Sequence, residues 1–217
     1  MKIATWNIER LKIEKRQKAI ETILNSVDAD ILVLTETDIR INLGNYVYQV
    51  FSEDLDSLQN YKSTERRIAI YSKYKITNQL KTFDAKTSLC VEMETNIGNL
   101  VVYGTIIGIY ANRHSSFNDD LSKQLEDFKS ISDKNHCIIG DYNISFGDNY
   151  YYTKTGRNSL NELFQTNDLK LVTNDLSEAI DHIAISSAAI QTHKIKIEEW
   201  NLDKSLSDHK GVSVKFM

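Results

Sequence analysis

Three acidic and amide clusters sit at the ends of apolar runs: Thr35-Glu36 after Ile31–Leu34, Gly140-Asp141-Tyr142-Asn143 after Cys137–Ile139, and Ser207-Asp208-His209 before Val212–Phe216. Apolar residues of an alternating strand must be buried, whereas carboxylate, amide and imidazole groups at its end need water or a cation. Strands that end this way at one sheet rim create a shared polar pocket. The chemistry such a pocket supports is hydrolysis of a phosphoester with help from a divalent metal.

Each cluster has its own logic. Asp141 and Asn143 flank Tyr142, and residues two apart in an extended chain point the same way, so carboxylate and amide face one reactant. Gly140 lets backbone or ligand approach closely there. Glu36 directly follows Ile31-Leu32-Val33-Leu34-Thr35, a position open to a solvated loop acid or to a metal ligand. Asn7, after Thr5-Trp6, reads on its own as a turn residue. In Asp181-His182, alternation sends only one side chain into the pocket, and Asp181 is the choice. A turn at Asp208-His209 presents both groups, the carboxylate to a metal and the imidazole to a phosphoryl oxygen, with Asp181 available to fix the second imidazole nitrogen. His114, His136 and His193 lack such an acid nearby in sequence and read as surface or packing residues.

The elements that must position these groups are legible from periodicity. Residues 2–6, 31–35, 67–72, 88–94, 99–109, 136–140, 181–186, 192–198 and 211–216 read as strands. Residues 14–27 and 118–132 carry apolar positions at helical spacing, through Ile20, Ile23, Leu24 and Val27 in the first and Leu121, Leu125, Phe128 and Ile131 in the second. A shorter helix is expected over 159–166, with Ser159 and Glu162 at capping-box spacing and Gly156 in the turn before it. This order predicts a mixed α/β layered domain covering residues 1–217 as one unit.

Composition narrows the partners. A formal charge of -4 over 217 residues argues against a broad basic surface that holds nucleic acid by phosphate neutralisation alone. Cys90 and Cys137 lie inside apolar runs, which favours buried thiols over a disulfide framework. Neither a secretory leader nor a transmembrane stretch is visible, so a soluble cytoplasmic protein without a membrane partner is the expectation. With no proline in the chain, turns fall to the eight glycines and to Asn, Asp and Ser.

Taken in order, Trp6-Asn7, Glu36, Gly140-Asp141-x-Asn143, Asp181-His182 and Ser207-Asp208-His209 resemble the endonuclease/exonuclease/phosphatase superfamily, which includes exonuclease III and pancreatic-type deoxyribonuclease. The segment Arg67-Ile68-Ala69-Ile70-Tyr71-Ser72-Lys73 is similar to that family's central strand. The resemblance implies a four-layered sandwich, two mixed β-sheets packed face to face with helices outside. It implies Glu36 as metal ligand with Asn7 assisting, Asp141 to activate or position water, and Asn143 to orient the water and the phosphoryl group. Asp208 becomes a second acid near the metal, and His209 stabilises phosphate under the control of Asp181. Carboxylate oxygens suit Mg²⁺ or Mn²⁺.

In one place the sequence departs from the family pattern. Where relatives carry His or Tyr, commonly followed by proline, this chain has Thr105 or its neighbours, and Asn112-Arg113-His114 is a replacement candidate. Arg157, beside the expected helix start, and Arg113 are candidate phosphate or substrate contacts, while Tyr150-Tyr151-Tyr152 suits loop packing or base stacking. The function expected is a metal-dependent phosphodiesterase or nuclease acting on DNA or RNA. The alternatives are a phosphomonoesterase or small phospho-metabolite hydrolase, and a noncatalytic binding module of the same fold. The sequence leaves the oligomeric state open.

Overall fold

The computed structural model describes residues 1–56, 58–190 and 193–217. Twelve strands and four α-helices occur among them, in chain order β1 (Lys2–Asn7), α1 (Gln17–Val27), β2 (Ile31–Asp38), β3 (Tyr48–Phe51), β4 (Glu65–Ser72), β5 (Lys75–Leu80), β6 (Ser88–Thr95) and β7 (Gly98–Ile106). The second half adds α2 (Phe117–Ser130), β8 (His136–Asp141), α3 (Lys154–Thr166), β9 (Leu169–Leu171), β10 (Asp181–Ser186), α4 (Ser187–Ile190), β11 (Ile195–Trp200) and β12 (Gly211–Phe216).

Two six-stranded sheets result, ordered β11-β12-β1-β2-β4-β3 and β5-β6-β7-β8-β10-β9. Each is mixed, because β1 pairs parallel to β2 and β7 parallel to β8 while the remaining pairs are antiparallel. Alternation along the strands decides which side chains meet. Ile3, Ile31, Val33, Ile68 and Ile70 of one sheet pack against Val91, Val102, Cys137, Ile139 and Ile183 of the other. The opposite faces are apolar too, and helices cover them. On the first sheet, Ile20 and Leu24 of α1 join Ala4, Trp6, Leu32 and Leu34. On the second, Phe117, Leu121 and Phe128 of α2 and Leu160 of α3 join Tyr103, Ile138 and Tyr142. Helix, sheet, sheet, helix is the four-layered sandwich. Full burial of each such Leu, Ile or Phe stabilises by about 1.5–3 kcal/mol before chain entropy is charged against it. The cysteines are free and buried, Cys137 between the sheets and Cys90 on the helix side.

Several boundaries differ from the sequence expectation. Strands β3, β5 and β9 were not foreseen; each lies at or next to a sheet edge and has few alternating apolar residues. The stretch expected at 99–109 stops at Ile106, because Gly108 adopts φ 72° and the chain turns against Phe117. Helix α3 begins at Lys154, and its cap is Thr153, whose hydroxyl accepts from the Gly156 amide. Gly156 therefore sits in the first helical turn, and Ser159 with Glu162 lies mid-helix. Thr153-x-x-Gly156 lacks the Glu of a capping box, which hid the true start. Of the strand expected at 192–198, Thr192 lies outside the described residues, and β11 runs from Ile195 to Trp200.

Candidate active site

Both sheets deliver their polar strand ends to one rim. Asn7 ends β1, Glu36 lies near the end of β2, Asp141 ends β8, Asp181 begins β10, and the turn before β12 carries Ser207-Asp208-His209. Register locks the two aspartates together, since Asp181 stands opposite Asp141 in the antiparallel β8–β10 pair.

The tightest contact is between His209 and Asp181, with Nδ1 2.5 Å from Oδ2. His209 is held from behind as well. Its carbonyl accepts from Trp6 Nε1 at 3.0 Å and from Asn201 Nδ2 at 2.6 Å, and its amide donates to Ser207 Oγ at 3.2 Å. The Ser207 hydroxyl in turn donates to the Asn7 carbonyl at 2.6 Å. Sequence reasoning missed Asn201 and this contact of Trp6, because a backbone acceptor leaves no mark in the sequence. Burial alone would lower the His209 imidazole, but the Asp181 and Asp141 carboxylates and the Asp181 hydrogen bond outweigh it and push the ring up to about 10. The ring is thus held as a cation at neutral pH.

Asp141 is 3% exposed. Burial raises its carboxyl well above the usual range; the His209 charge opposes this, while the Asp181 and Glu36 charges add to it. Asn7 Nδ2 donates to Asp141 Oδ2 at 3.2 Å, and the Asn7 oxygen accepts from the Glu9 amide at 3.0 Å, which turns the NH₂ toward the carboxylate. Asn143 is not extended. At φ 51° its amide folds back onto Asp141 Oδ1 at 2.9 Å, and its Nδ2 donates to the Ile107 and Gly108 carbonyls at 3.0 and 3.3 Å. Carboxylate and amide meet through this turn, so strand alternation is not the reason they are neighbours.

Glu36 also breaks strand geometry, with φ 41°, and the β2–β4 register passes from Thr35↔Ile68 to Thr37↔Arg66 around it. Its carboxylate is 4.0 Å from Arg10 Nε, and Arg10 lies 4.6 Å over the Tyr61 ring. Asp208 is exposed, its Oδ1 3.6 Å from His209 Nε2, and its amide donates to Glu9 Oε2 at 3.3 Å. Glu9, unremarked in the sequence reading, is thus a further acid at this rim.

Other expectations land elsewhere. Arg157 is committed to its own loop, stacked 3.7 Å over Tyr152 and bonded to Asn149 Oδ1 at 3.1 Å and to the Asp148 carbonyl. These contacts make it a brace of that loop. Arg113 and His114 are exposed in the loop after β7, whereas Asn112 is buried and donates to the Asn143 carbonyl at 2.7 Å. Thr105 is turned away, its hydroxyl against Gln124 of α2. His182 faces the opposite side of β10 from Asp181, between Thr173 Oγ1 at 2.9 Å and the Ala179 carbonyl at 3.2 Å.

The donor set fits a hard divalent cation. Ligand-type atoms of Asp141, Asp181 and His209 lie within 4.8 Å of one another. Asp181 Oδ1 is buried without a hydrogen-bond partner. With His209 Nδ1 engaged by Asp181, however, that trio serves proton and charge placement better than a metal cage. The Glu36, Asp208 and Glu9 carboxylates are the remaining oxygen donors at the rim.

A model of the Endonuclease/Exonuclease/phosphatase family matches residues 4–209. Comparison with the curated proteins finds no match. Among solved structures, an endonuclease/exonuclease/phosphatase from Beutenbergia cavernae is similar at 14% identity and TM-score 0.74, over 100% of this chain and 71% of the other. An AP endonuclease from Archaeoglobus fulgidus is 14% identical with TM-score 0.67, over 100% and 99%. A double mutant of beta toxin from Staphylococcus aureus, with bound magnesium ions, is 18% identical with TM-score 0.62, over 98% of each chain. At these identities the structural likeness speaks for the fold alone. By the family match across both sheets and the polar rim between them, the chain belongs to the endonuclease/exonuclease/phosphatase family.

Proposed function

We propose that this protein is a Mg²⁺- or Mn²⁺-dependent phosphodiesterase that hydrolyses a nucleotide-type phosphoester by in-line attack of water on phosphorus. The observation that carries the reading is the convergence of Asp141, Asp181 and His209 within 4.8 Å at the rim shared by both sheets. No packing requirement accounts for two buried aspartates facing each other in register. Glu36 and Asp208 would hold the metal, with Asn7 shaping the site beside it. When bound, the ion would neutralise charge on the phosphoryl and leaving oxygens.

The protein groups do the rest. Asp141, raised by burial and oriented by the Asn7 NH₂ and the Asn143 amide, takes a proton from the attacking water as oxygen bonds to phosphorus. His209, kept cationic by Asp181, offers its Nε2–H to a phosphoryl oxygen and compensates the charge that develops there. The bond to the leaving oxygen then breaks. The family match supports phosphoester chemistry, and the nucleotide-type substrate is the choice made within it.

Incubation with bis(p-nitrophenyl) phosphate tests the chemistry. Release of nitrophenolate with Mg²⁺ or Mn²⁺, abolished by EDTA and by His209→Ala, is expected. Hydrolysis that survives EDTA, or none under any metal, would refute it.

A further inference from the structure

Beside His209 and Asp181 opens a cleft of about 280 Å³ whose walls include Asn143, Tyr150, Lys204 and Lys210. Its far wall is built, not loose. Asp148 Oδ1 accepts from the Tyr150 amide at 3.0 Å and Oδ2 from the Glu178 amide at 2.7 Å, tying the loop after β8 to the loop before β10. Arg157 braces the same loop from α3. Across the cleft, Lys204 Nζ donates to the Tyr150 hydroxyl at 3.0 Å, sits 4.5 Å from that ring's centroid, and lies 3.7 Å from Glu178. Three loops are thereby joined on one side of the catalytic groups.

A polymer passing through the scissile position needs an exit on both sides of the phosphate. The Tyr150–Lys204 contact bridges two of the cleft's lining loops, where a strand leaving on that side would have to pass. The space left is near the lower end of small-ligand pockets, roughly 300–1,000 Å³. Tyr150 is 51% exposed, with Lys204 over one face of its ring, so the other face is the one toward which a planar group can stack. Lys204 and Lys210 line the same walls, each within 4 Å of a carboxylate, Glu178 and Glu199 respectively.

We propose that this cleft is a dead-end subsite for a single nucleoside-sized group, so that the enzyme cleaves phosphoesters at a chain end or in a free nucleotide ester and not within a continuous strand. The group stacks on Tyr150 with its phosphate directed to His209, and Lys204 is the latch that sets the limit. This rests on the phosphodiesterase reading above.

The test uses the whole protein with Mn²⁺ on an end-labelled linear single-stranded oligonucleotide, on the covalently closed circle of the same sequence, and on the p-nitrophenyl ester of thymidine 5′-monophosphate. The linear strand should turn over at least about tenfold faster than the circle if a polymer end is the source, whereas turnover of the nucleotide ester with neither polymer cut identifies a free nucleotide ester. In Tyr150→Ala/Lys204→Ala the discrimination against the circle should shrink toward one. Without metal, in EDTA, calorimetry should show thymidine 5′-monophosphate binding to the wild type about tenfold more tightly than to that variant. Circle and linear strand both cut, at equal rates, or equal nucleotide affinity in the two proteins, would overturn the inference while hydrolysis of bis(p-nitrophenyl) phosphate left the chemistry standing. Loss of that hydrolysis as well would remove both.

Discussion

His209 Nδ1 and Asp181 Oδ2 lie 2.5 Å apart, and this contact joins the turn leading into the first sheet to the start of β10 in the second. The pair therefore reports on sheet alignment as well as on the proposed catalytic role. Asp181→Asn removes the negative charge that holds the ring cationic, so the His209 pKa should fall from about 10 toward its ordinary 6.5, followed by the ring proton shifts in NMR. Turnover should drop about 10²–10⁴-fold, since a mispositioned or neutral imidazole no longer offsets phosphoryl charge. An unshifted His209 titration would disconnect the pair.

Asp141→Asn tests the water-activating role proposed for that carboxylate. The amide cannot take a proton, so kcat should fall about 10²-fold or more. Mn²⁺ affinity measured by calorimetry should stay largely intact, because Glu36 and Asp208 are the assigned metal oxygens. Near wild-type turnover would show that the role belongs to another group.

Glu36→Ala should weaken metal binding first. At saturating Mn²⁺ part of the lost rate should return, and the Mg²⁺ concentration for half activity should rise about tenfold or more. Loss of rate without any change in metal dependence would remove Glu36 from the metal.

These roles were more legible than the contacts that enforce them. Apolar runs revealed the strands that build both sheets, and the polar residues at their ends located the rim. Hidden were left-handed residues such as Glu36 at φ 41° and Asn143 at φ 51°, because a positive φ is uncommon outside glycine, and side-chain type only weakly signals it. The partners of Arg157 were hidden for a related reason: nothing in the sequence shows that Tyr152 and Asn149 of its own loop pack against the guanidinium. The edge strands escaped because half-exposed sequences such as Lys75–Leu80 lack an alternating apolar face.

His182 makes a prediction about acid stability. It is fully buried, and burial lowers its imidazole to about 4 against an ordinary 6.5. Between those values the unfolded chain binds a proton that the folded chain refuses, so stability falls as pH drops from 6.5 to 4 and the effect saturates below 4. The contribution is on the order of 3 kcal/mol. Urea melts of His182→Gln should show a flatter dependence than wild type over that window; equal slopes would assign the acid loss elsewhere.

Gly140 stands at φ 140°, and a Cβ there would lie 2.1 Å from the Thr105 carbonyl oxygen of the neighbouring strand. Gly140→Ala must displace β8 from β7 just before Asp141. A loss of about 2–4 kcal/mol in urea unfolding is expected, with reduced turnover in the protein that still folds. Unchanged stability would mean that the two strands are not this close.

The most direct test is anomalous diffraction from crystals soaked in Mn²⁺ and inorganic phosphate. A manganese peak at the rim, about 2.0–2.5 Å from a Glu36 oxygen, with phosphate within hydrogen-bonding reach of His209 Nε2, is the predicted result. Manganese bound only at sites remote from Glu36, Asp141 and Asp208, with no phosphate at His209, would contradict the assignment.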